Sequence, residues 1–419
     1  MSNWSWGYEE ENTSSSEDNE SREKIQPYLQ KPEVNTELNT ELNTELNTEV
    51  NTEAKPEAKP DFANITTYTP DLYNKEDIDG WKNALNKDGY VVIKDILDGD
   101  NYLKGYDLFK EAWNEVSPRF DFKNKSTWIP DNSPMMWDQG MITWNGLGQS
   151  DFQWHLRTNK SIINIFKNLH ETDDLVVSFD GFSVFLTPEQ KSRMWLHIDQ
   201  NPHKPLVKEC ESIQGAYNFF SVGKDDAGFV VVPGSHKTYV PDEKFYRGRQ
   251  FIQIFKDDPH VEKAVKLLVP KNSFILWNSY TLHQNIGMRN LLNELSNIMD
   301  RDNTGHDTDD DDYESQDKIT CMLSDMVSNK VNDRPINRLT SYITYFPKRL
   351  RSDIIYRHRL SGYYLSHNCG HYATRHDTKQ PPRECYNYDG TMNEYYDLNI
   401  INSRLTYDGY IPAERMALI

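Results

Sequence analysis

His197 and Asp199 stand two positions apart in the segment Ser192-Arg-Met-Trp-Leu-His-Ile-Asp-Gln-Asn-Pro, between stretches rich in strand-forming residues. Residues i and i+2 of an extended strand project from the same face, so this spacing sets an imidazole beside a carboxylate. Joined by a second histidine, such a pair forms the two-histidine, one-carboxylate facial set that holds non-haem iron(II) and leaves coordination positions open. Taken alone, His-x-Asp is a short motif that random sequence produces often, and a buried strand histidine is commonly only hydrogen-bonded. The chain must therefore supply a third ligand and a scaffold that brings it to the pair.

Phe274-Ile-Leu-Trp-Asn-Ser-Tyr-Thr-Leu-His283 offers that ligand: an apolar strand, a short polar turn, then a histidine. The other histidines have poorer contexts. His203 lies past a proline in an expected loop and His236 ends the turn Pro233-Gly-Ser-His, while His155, His170, His260, His306 and His358 lack a suitable strand. His197, Asp199 and His283 are thus the candidate metal ligands, with a purely structural histidine as the alternative for His283.

The elements that must position these residues are legible in the pattern. Asp79 to Gly89 reads as a helix ended by glycine, followed by the strand Tyr90-Val-Val-Ile-Lys94. Tyr102–Val116 and Ser161–Leu169 carry apolar residues at helical spacing. After residue 174 the chain turns strand-rich, with candidates at Leu175–Phe179, Ser183–Leu186, Met194–Asp199, Ile213–Val222, Gly228–Val232, Leu267–Val269, Phe274–Trp277 and Leu339–Phe346. Short strands separated by turn signals predict a sandwich or barrel, and the helices before them are expected to pack outside a sheet. The expected class is mainly β with flanking helices (α+β), built on a double-stranded β-helix or jelly-roll, cupin-like core.

Charge and composition exclude several partners. The formal charge of −19 is concentrated in residues 1–61, which carry −10, and in residues 300–318, which carry −7. The remaining −2 leaves a nearly neutral body without the basic face that binds phosphate backbones, so no nucleic-acid partner is expected. No run reaches the length of a membrane span and the N-terminus lacks signal-peptide character, which predicts a soluble, intracellular, cytoplasmic protein. The four cysteines lack CxxC spacing, so neither a disulfide framework nor a thiolate zinc site is indicated. A second metal site among His367, Cys369, His371, His376 and Cys385 is conceivable, but surface histidines in a Tyr-rich tail are the plainer reading.

Residues 1–62 read as a disordered acidic tail with Asn-Thr-Glu-Leu repeats beginning at Asn35. The globular domain is expected over 63–350, followed by a Tyr-rich extension, 351–419, packing on it.

From Gly89 onward the chain resembles the phytanoyl-CoA dioxygenase family of iron(II)/2-oxoglutarate oxygenases. The resemblance is carried by Gly89-Tyr-Val-Val-Ile, by His197-Ile-Asp199 and by Gly228-Phe-Val-Val-Val-Pro-Gly-Ser-His-Lys237. It continues through Trp277 to His283 and ends with Arg338-Leu-Thr-Ser-Tyr-Ile-Thr-Tyr345. These elements span roughly residues 75–350, and the chain looks like a divergent branch in which Ser178-Phe-Asp-Gly181 and a C-terminal extension recur.

The resemblance implies that His197, Asp199 and His283 hold Fe(II) and that Arg338 pairs with the distal carboxylate of the cosubstrate 2-oxoglutarate, a contact suited to a bidentate guanidinium. Thr340 would add a hydroxyl on the same face, and Gln214 would line the cosubstrate pocket. The implied reaction uses O2 and hydroxylates an unactivated C–H of a small organic molecule, releasing succinate and CO2. Halogenating relatives have a small residue in place of the carboxylate, so Asp199 argues for hydroxylation. Two alternatives stay open: a non-catalytic jelly-roll binding module, and an oxygenase acting on a macromolecule.

One departure stands out. In the family the arginine follows the distal histidine by roughly a dozen residues, whereas here 290–333 intervene, including Asp309-Asp-Asp-Asp312. This reads as an acidic loop insertion, which surface loops tolerate at small entropic cost. Arg289 and Arg334 are then rivals to Arg338.

Overall fold

The computed structural model describes residues 65–137, 139–187, 195–205, 207, 210–242, 244, 249–289, 336–375 and 411–419. The repeat-bearing tail, the 290–333 insertion, Arg334, His376 and Cys385 lie outside the described residues.

Strands β1 (Thr66–Tyr68) and β2 (Leu72–Tyr73) precede helix α1 (Ile78–Asp88), β3 (Tyr90–Ile93) and α2 (Gly99–Val116). After β4 (Met141–Ile142) come α3 (Asp151–Arg157) and α4 (Lys160–His170). The barrel strands follow: β5 (Leu175–Val177), β6 (Phe182–Phe185), β7 (His197–Ile198), β8 (Ile213–Asn218) and β9 (Gly228–Val231). Beyond the single turn α5 (Ser235–Thr238) lie β10 (Ile252–Gln253), β11 (Val265–Leu267), β12 (Ser273–Asn278), β13 (His283–Ile286), β14 (Arg338–Tyr342) and β15 (Tyr345–Pro347). Helices α6 (Asp353–Tyr364) and α7 (Ala413–Met416) complete the described chain.

Local chemistry accounts for α1. Asp77 caps its N-terminus by accepting from the Gly80 N–H, and Trp81, Ala84 and Leu85 form its buried stripe. Gly89 ends it at φ +77°, a left-handed conformation that glycine adopts without penalty. The Gly89 carbonyl then accepts from the Asn278 N–H and the Thr281 hydroxyl, which ties the end of α1 to the turn that delivers His283.

The strands form a six-stranded sheet ordered β1-β11-β9-β13-β7-β10 and a seven-stranded sheet ordered β2-β3-β12-β8-β14-β6-β4; β15 pairs with β5. From β6 to β9 the chain alternates between the two large sheets, and from β11 to β14 it alternates back. That winding is the double-stranded β-helix of a jelly roll. Among the described residues no helix is long and apolar enough to cross a membrane.

Period-two alternation sorts the side chains into three layers. Phe274, Leu276, Tyr217, Leu339 and Val91 face out of the seven-stranded sheet and pack with the apolar faces of the helices. Val92, Ala216, Ile275, Trp277, Phe229 and Val231 fill the space between the sheets. Leu196, Ile198, Val230, Ile252 and Leu282 lie on the outer side of the six-stranded sheet. His197, Gln214, Asn218, His283, Asn285, Arg338 and Thr340 share the face of the between-sheet residues and therefore point into the interior.

Three expectations are corrected here. The expected strand Leu339–Phe346 is two strands: β14 pairs with β6 and β8, whereas β15 pairs with β5. The break falls at Ile343 and Thr344, whose N–H groups bond to Gly215 O and Ser178 Oγ. Strand β7 is only two residues long, and Asp199 lies just past it, held by its N–H on Ser279 O at 2.9 Å. Nor is the segment from Ser366 to Thr374 a surface tail. Cys369 is 1% exposed, Asn368 Oδ1 accepts from the Gly148 N–H, and the Cys369 N–H donates to Phe179 O.

Gly181 explains one of the quoted sequence elements. A Cβ there would sit 1.9 Å from the Ile142 carbonyl oxygen, a backbone atom that cannot swing aside. Gly181→Ala should therefore lower stability by about 2–3 kcal/mol, as overpacking does, read as a lower denaturant midpoint. An unchanged midpoint would show that the β4–β6 contact is looser than this.

Candidate metal centre

Strands β7 and β13 pair antiparallel with His283 directly opposite His197. The turn after β12 supplies Ser279 O to the Asp199 N–H, so the carboxylate swings in beside both imidazoles. One potential ligand atom from each of His197, Asp199 and His283 lies within 4.8 Å of the others. His197 Nε2 is 3.5 Å from Asp199 Oδ1, and His283 Nε2 is 3.2 Å from Asp199 Oδ2. Metal bonds of about 2.1 Å place neighbouring ligand atoms of an octahedron about 3 Å apart, so the spacing suits a shared ion.

The tautomers follow from the outer contacts. His197 Nδ1 lies 2.8 Å from Trp195 O, and His283 Nδ1 lies 2.8 Å from Thr281 O. A carbonyl can only accept, so each Nδ1 carries the proton and each Nε2 turns a lone pair toward Asp199. Lone pairs and a carboxylate converging in a buried space repel one another unless a cation lies between them.

The electrostatics agree. Burial and the neighbouring His197 push the His283 imidazole down, favouring the neutral ring that a metal requires. For Asp199, burial acts to raise the carboxyl, but its close contacts with the His197 and His283 rings outweigh that and hold it well below the usual carboxylate range. Gln214 Nε2 donates to Asp199 Oδ2 at 2.8 Å and to Ser279 Oγ at 3.1 Å, which sets this predicted residue against the carboxylate. The Tyr372 hydroxyl donates to the Asp199 backbone oxygen at 3.0 Å.

Arg338 lies on the facing sheet, 2% exposed. Its Nε donates to Thr340 Oγ1 at 3.0 Å and its Nη1 reaches across the interior to Asn285 Oδ1 at 2.9 Å. Thr340 Oγ1 donates in turn to Asn218 Oδ1, directly opposite it on β8. Nη2 is buried without a hydrogen-bond partner. A cationic donor left short inside a barrel is costly unless an anion joins it, and its Asn285 partner stands on β13, the strand of His283.

The rival Arg289 sits with Asp225, 3.5 Å away, and is partly exposed. The histidines set aside on sequence grounds make backbone contacts: His155 with Asn101 O, His170 with Tyr345 O, His203 with Pro241 O and His236 with Asn86 O. Among the described residues, His197, Asp199 and His283 are the group able to hold an ion.

Sequence reasoning did not single out Asn285, Asn218, Ser279 or Tyr372. Asn285 had a signal, because it stands two residues after His283 and so shares its face. Tyr372 had none, since 173 residues separate it from Asp199.

No family model matches the chain. It is 26% identical over 229 residues to "Ava biosynthesis cluster protein O" of Aspergillus versicolor, covering 51% of this chain and 74% of that protein. Among solved structures it is similar to the epimerase SnoN in complex with Fe3+, alpha ketoglutarate and nogalamycin RO, at 13% identity and TM-score 0.39, covering 65% of this chain and 84% of SnoN. It is also similar to HygX from Streptomyces hygroscopicus with nickel and 2-oxoglutarate bound, at 11% identity and TM-score 0.37, covering 64% and 86% of the two chains. The jelly-roll architecture of this chain rests on the winding of its own two sheets.

Proposed function

We propose that this protein is an iron(II)- and 2-oxoglutarate-dependent oxygenase of the phytanoyl-CoA dioxygenase type, hydroxylating a C–H bond of a small organic molecule. The observation that carries the reading is the pairing of two unmet demands in one interior: three converging ligand atoms that need a cation, and a buried guanidinium that needs an anion. A two-histidine, one-carboxylate set suits iron(II), and an Arg338 fork with one arm open suits the distal carboxylate of 2-oxoglutarate. The name of the Aspergillus relative, which places that protein in a biosynthesis cluster, fits a small-molecule substrate.

When bound, iron and 2-oxoglutarate supply the oxidising chemistry, with O2 consumed and succinate and CO2 released. The chain's own residues bind and orient. His197, Asp199 and His283 would hold the ion; the Trp195 and Thr281 carbonyls fix the two imidazole tautomers, Gln214 fixes the Asp199 carboxylate, and Ser279 and Tyr372 fix the Asp199 backbone. Asn285 and Thr340 aim the Arg338 fork. The buried walls of the interior exclude water from the reacting centre. We assign this chemistry to the domain over 63–350, with the described part of 351–419 buttressing it through Tyr372.

Anaerobic addition of iron(II) and 2-oxoglutarate to the folded protein should produce a visible charge-transfer band that appears only with both present. Folded protein without such a band, at saturating amounts of each, would refute the proposal.

A further inference from the structure

The edge strand β10 has its burial pattern inverted. Register places Gln253 opposite His197 and Ile252 opposite Ile198, so the odd-numbered residues share the face of the metal ligands and the even-numbered ones face outward. In a closed barrel the inward residues would be buried. Here Ile252 and Ile254 are 0% and 7% exposed on the outer side, while Phe251 is 38% exposed on the inner one. Among the described residues no strand continues the sheet beyond β10, and a partly exposed aromatic ring stands at this edge.

That ring adjoins the metal centre. The Phe251 centroid lies 4.6 Å from that of His197, whose own centroid is 4.4 Å from Trp195. Phe251 and Trp195 are 6.4 Å apart, so they flank His197 at close to a right angle, and the three ring planes lie within 24–31° of one another. Trp195 is fixed by its indole N–H on Asn285 O at 3.0 Å and its backbone N–H on Gln284 Oε1 at 2.8 Å. His197 is fixed by the Trp195 carbonyl. Trp195 and His197 are thus held in place before anything binds, which lowers the ordering cost of binding.

We infer that Phe251, backed by His197 and Trp195, is the substrate platform of this site and that it takes a planar, unsaturated ring system. The inference rests on the oxygenase reading for the word substrate, because a molecule that presents a C–H to the His197–Asp199–His283 centre through this edge must lie against Phe251. An aromatic ring stacked on the platform gains electrostatic complementarity beyond the area it buries, whereas a saturated ring of the same size gains the area alone. An exposed phenyl group beside a buried polar centre also recovers apolar burial when such a ligand covers it.

The test uses the full chain loaded anaerobically with iron(II) and 2-oxoglutarate, titrated calorimetrically with matched neutral probes: 2-naphthol against decahydro-2-naphthol, and indene against octahydroindene. The wild type should bind the planar member of each pair about tenfold more tightly, Phe251→Ala should erase that preference, and Phe251→Trp should keep it. Equal affinity within each pair, no binding of the planar probes at millimolar concentration, or a preference that survives Phe251→Ala overturns the inference. The charge-transfer band is recorded in the same samples: a band without planar preference sinks the platform alone, whereas a planar preference without a band leaves the ring site standing and sinks the oxygenase.

Discussion

Arg338→Met is expected to raise the KM for 2-oxoglutarate by about a hundredfold, while iron(II) binding in the absence of 2-oxoglutarate stays near wild type. Arg338 is 2% exposed, and methionine fills much of the same volume, so the change removes charge and donors more than packing. Losing one partner of a buried, hydrogen-bonded charge pair costs about 2–5 kcal/mol, and tenfold corresponds to about 1.4 kcal/mol. The substitution also strips the donors from Thr340 Oγ1 and Asn285 Oδ1, but Thr340 retains Asn218 as a partner. Arg338→Lys should recover only part of the loss, because a point charge cannot reproduce the fork. Arg289→Ala is the control. Its partner is Asp225 on the loop before β9, so its effect on the KM should be small. A large KM effect at Arg289 with little at Arg338 would reverse the assignment.

His197→Ala is expected to abolish the iron–2-oxoglutarate band and turnover together. Removing an outer partner of a ligand costs about 10–100-fold in metal affinity, so removing the ligand itself should cost at least about a hundredfold. The ring also fills space between Trp195, Phe251 and His283, so thermal denaturation of the metal-free protein must show that the variant still folds. A folded variant that retains the wild-type band would remove His197 from the ligand set. The contrast with Arg338→Met is diagnostic: one variant fails to bind iron, and the other binds iron but not cosubstrate.

Much of the architecture was visible in one dimension where the governing physics is local. The helix read from Asp79 and ended by Gly89 matches α1 within a residue, because the signals that start and stop a helix act inside a few residues of chain. Strands β8, β9 and β12 appeared as apolar runs bounded by turn signals. They did not show the alternation that would have told their faces apart, since both faces are buried. The two-residue strands β2, β4 and β10 were invisible, being too short to carry a period. Arg157 and Arg359 were missed as core residues, because a fully buried arginine contradicts its type. Arg359 is held by the Ile419 and Val177 carbonyls and lies over the Phe179 ring, partners far from it in sequence.

The residue types of the candidate site were likewise readable. A histidine and a carboxylate at i and i+2, a histidine after an apolar strand and an arginine opening another are chemically rare groups in strand contexts. The sequence by itself therefore determined which groups could act, and it set His197 and Arg338 on strands. What the tertiary structure alone decided is how they meet. His283 lies opposite His197 because β7 and β13 pair in that register, Arg338 reaches Asn285 because two sheets stack face to face, and Tyr372 braces Asp199 because the C-terminal extension brings it there. Phe251 stands at a sheet edge because β10 is the last strand of its sheet among the described residues. Register, sheet stacking and edge position are set by the summed packing of elements distant in sequence, and no local pattern contains that sum.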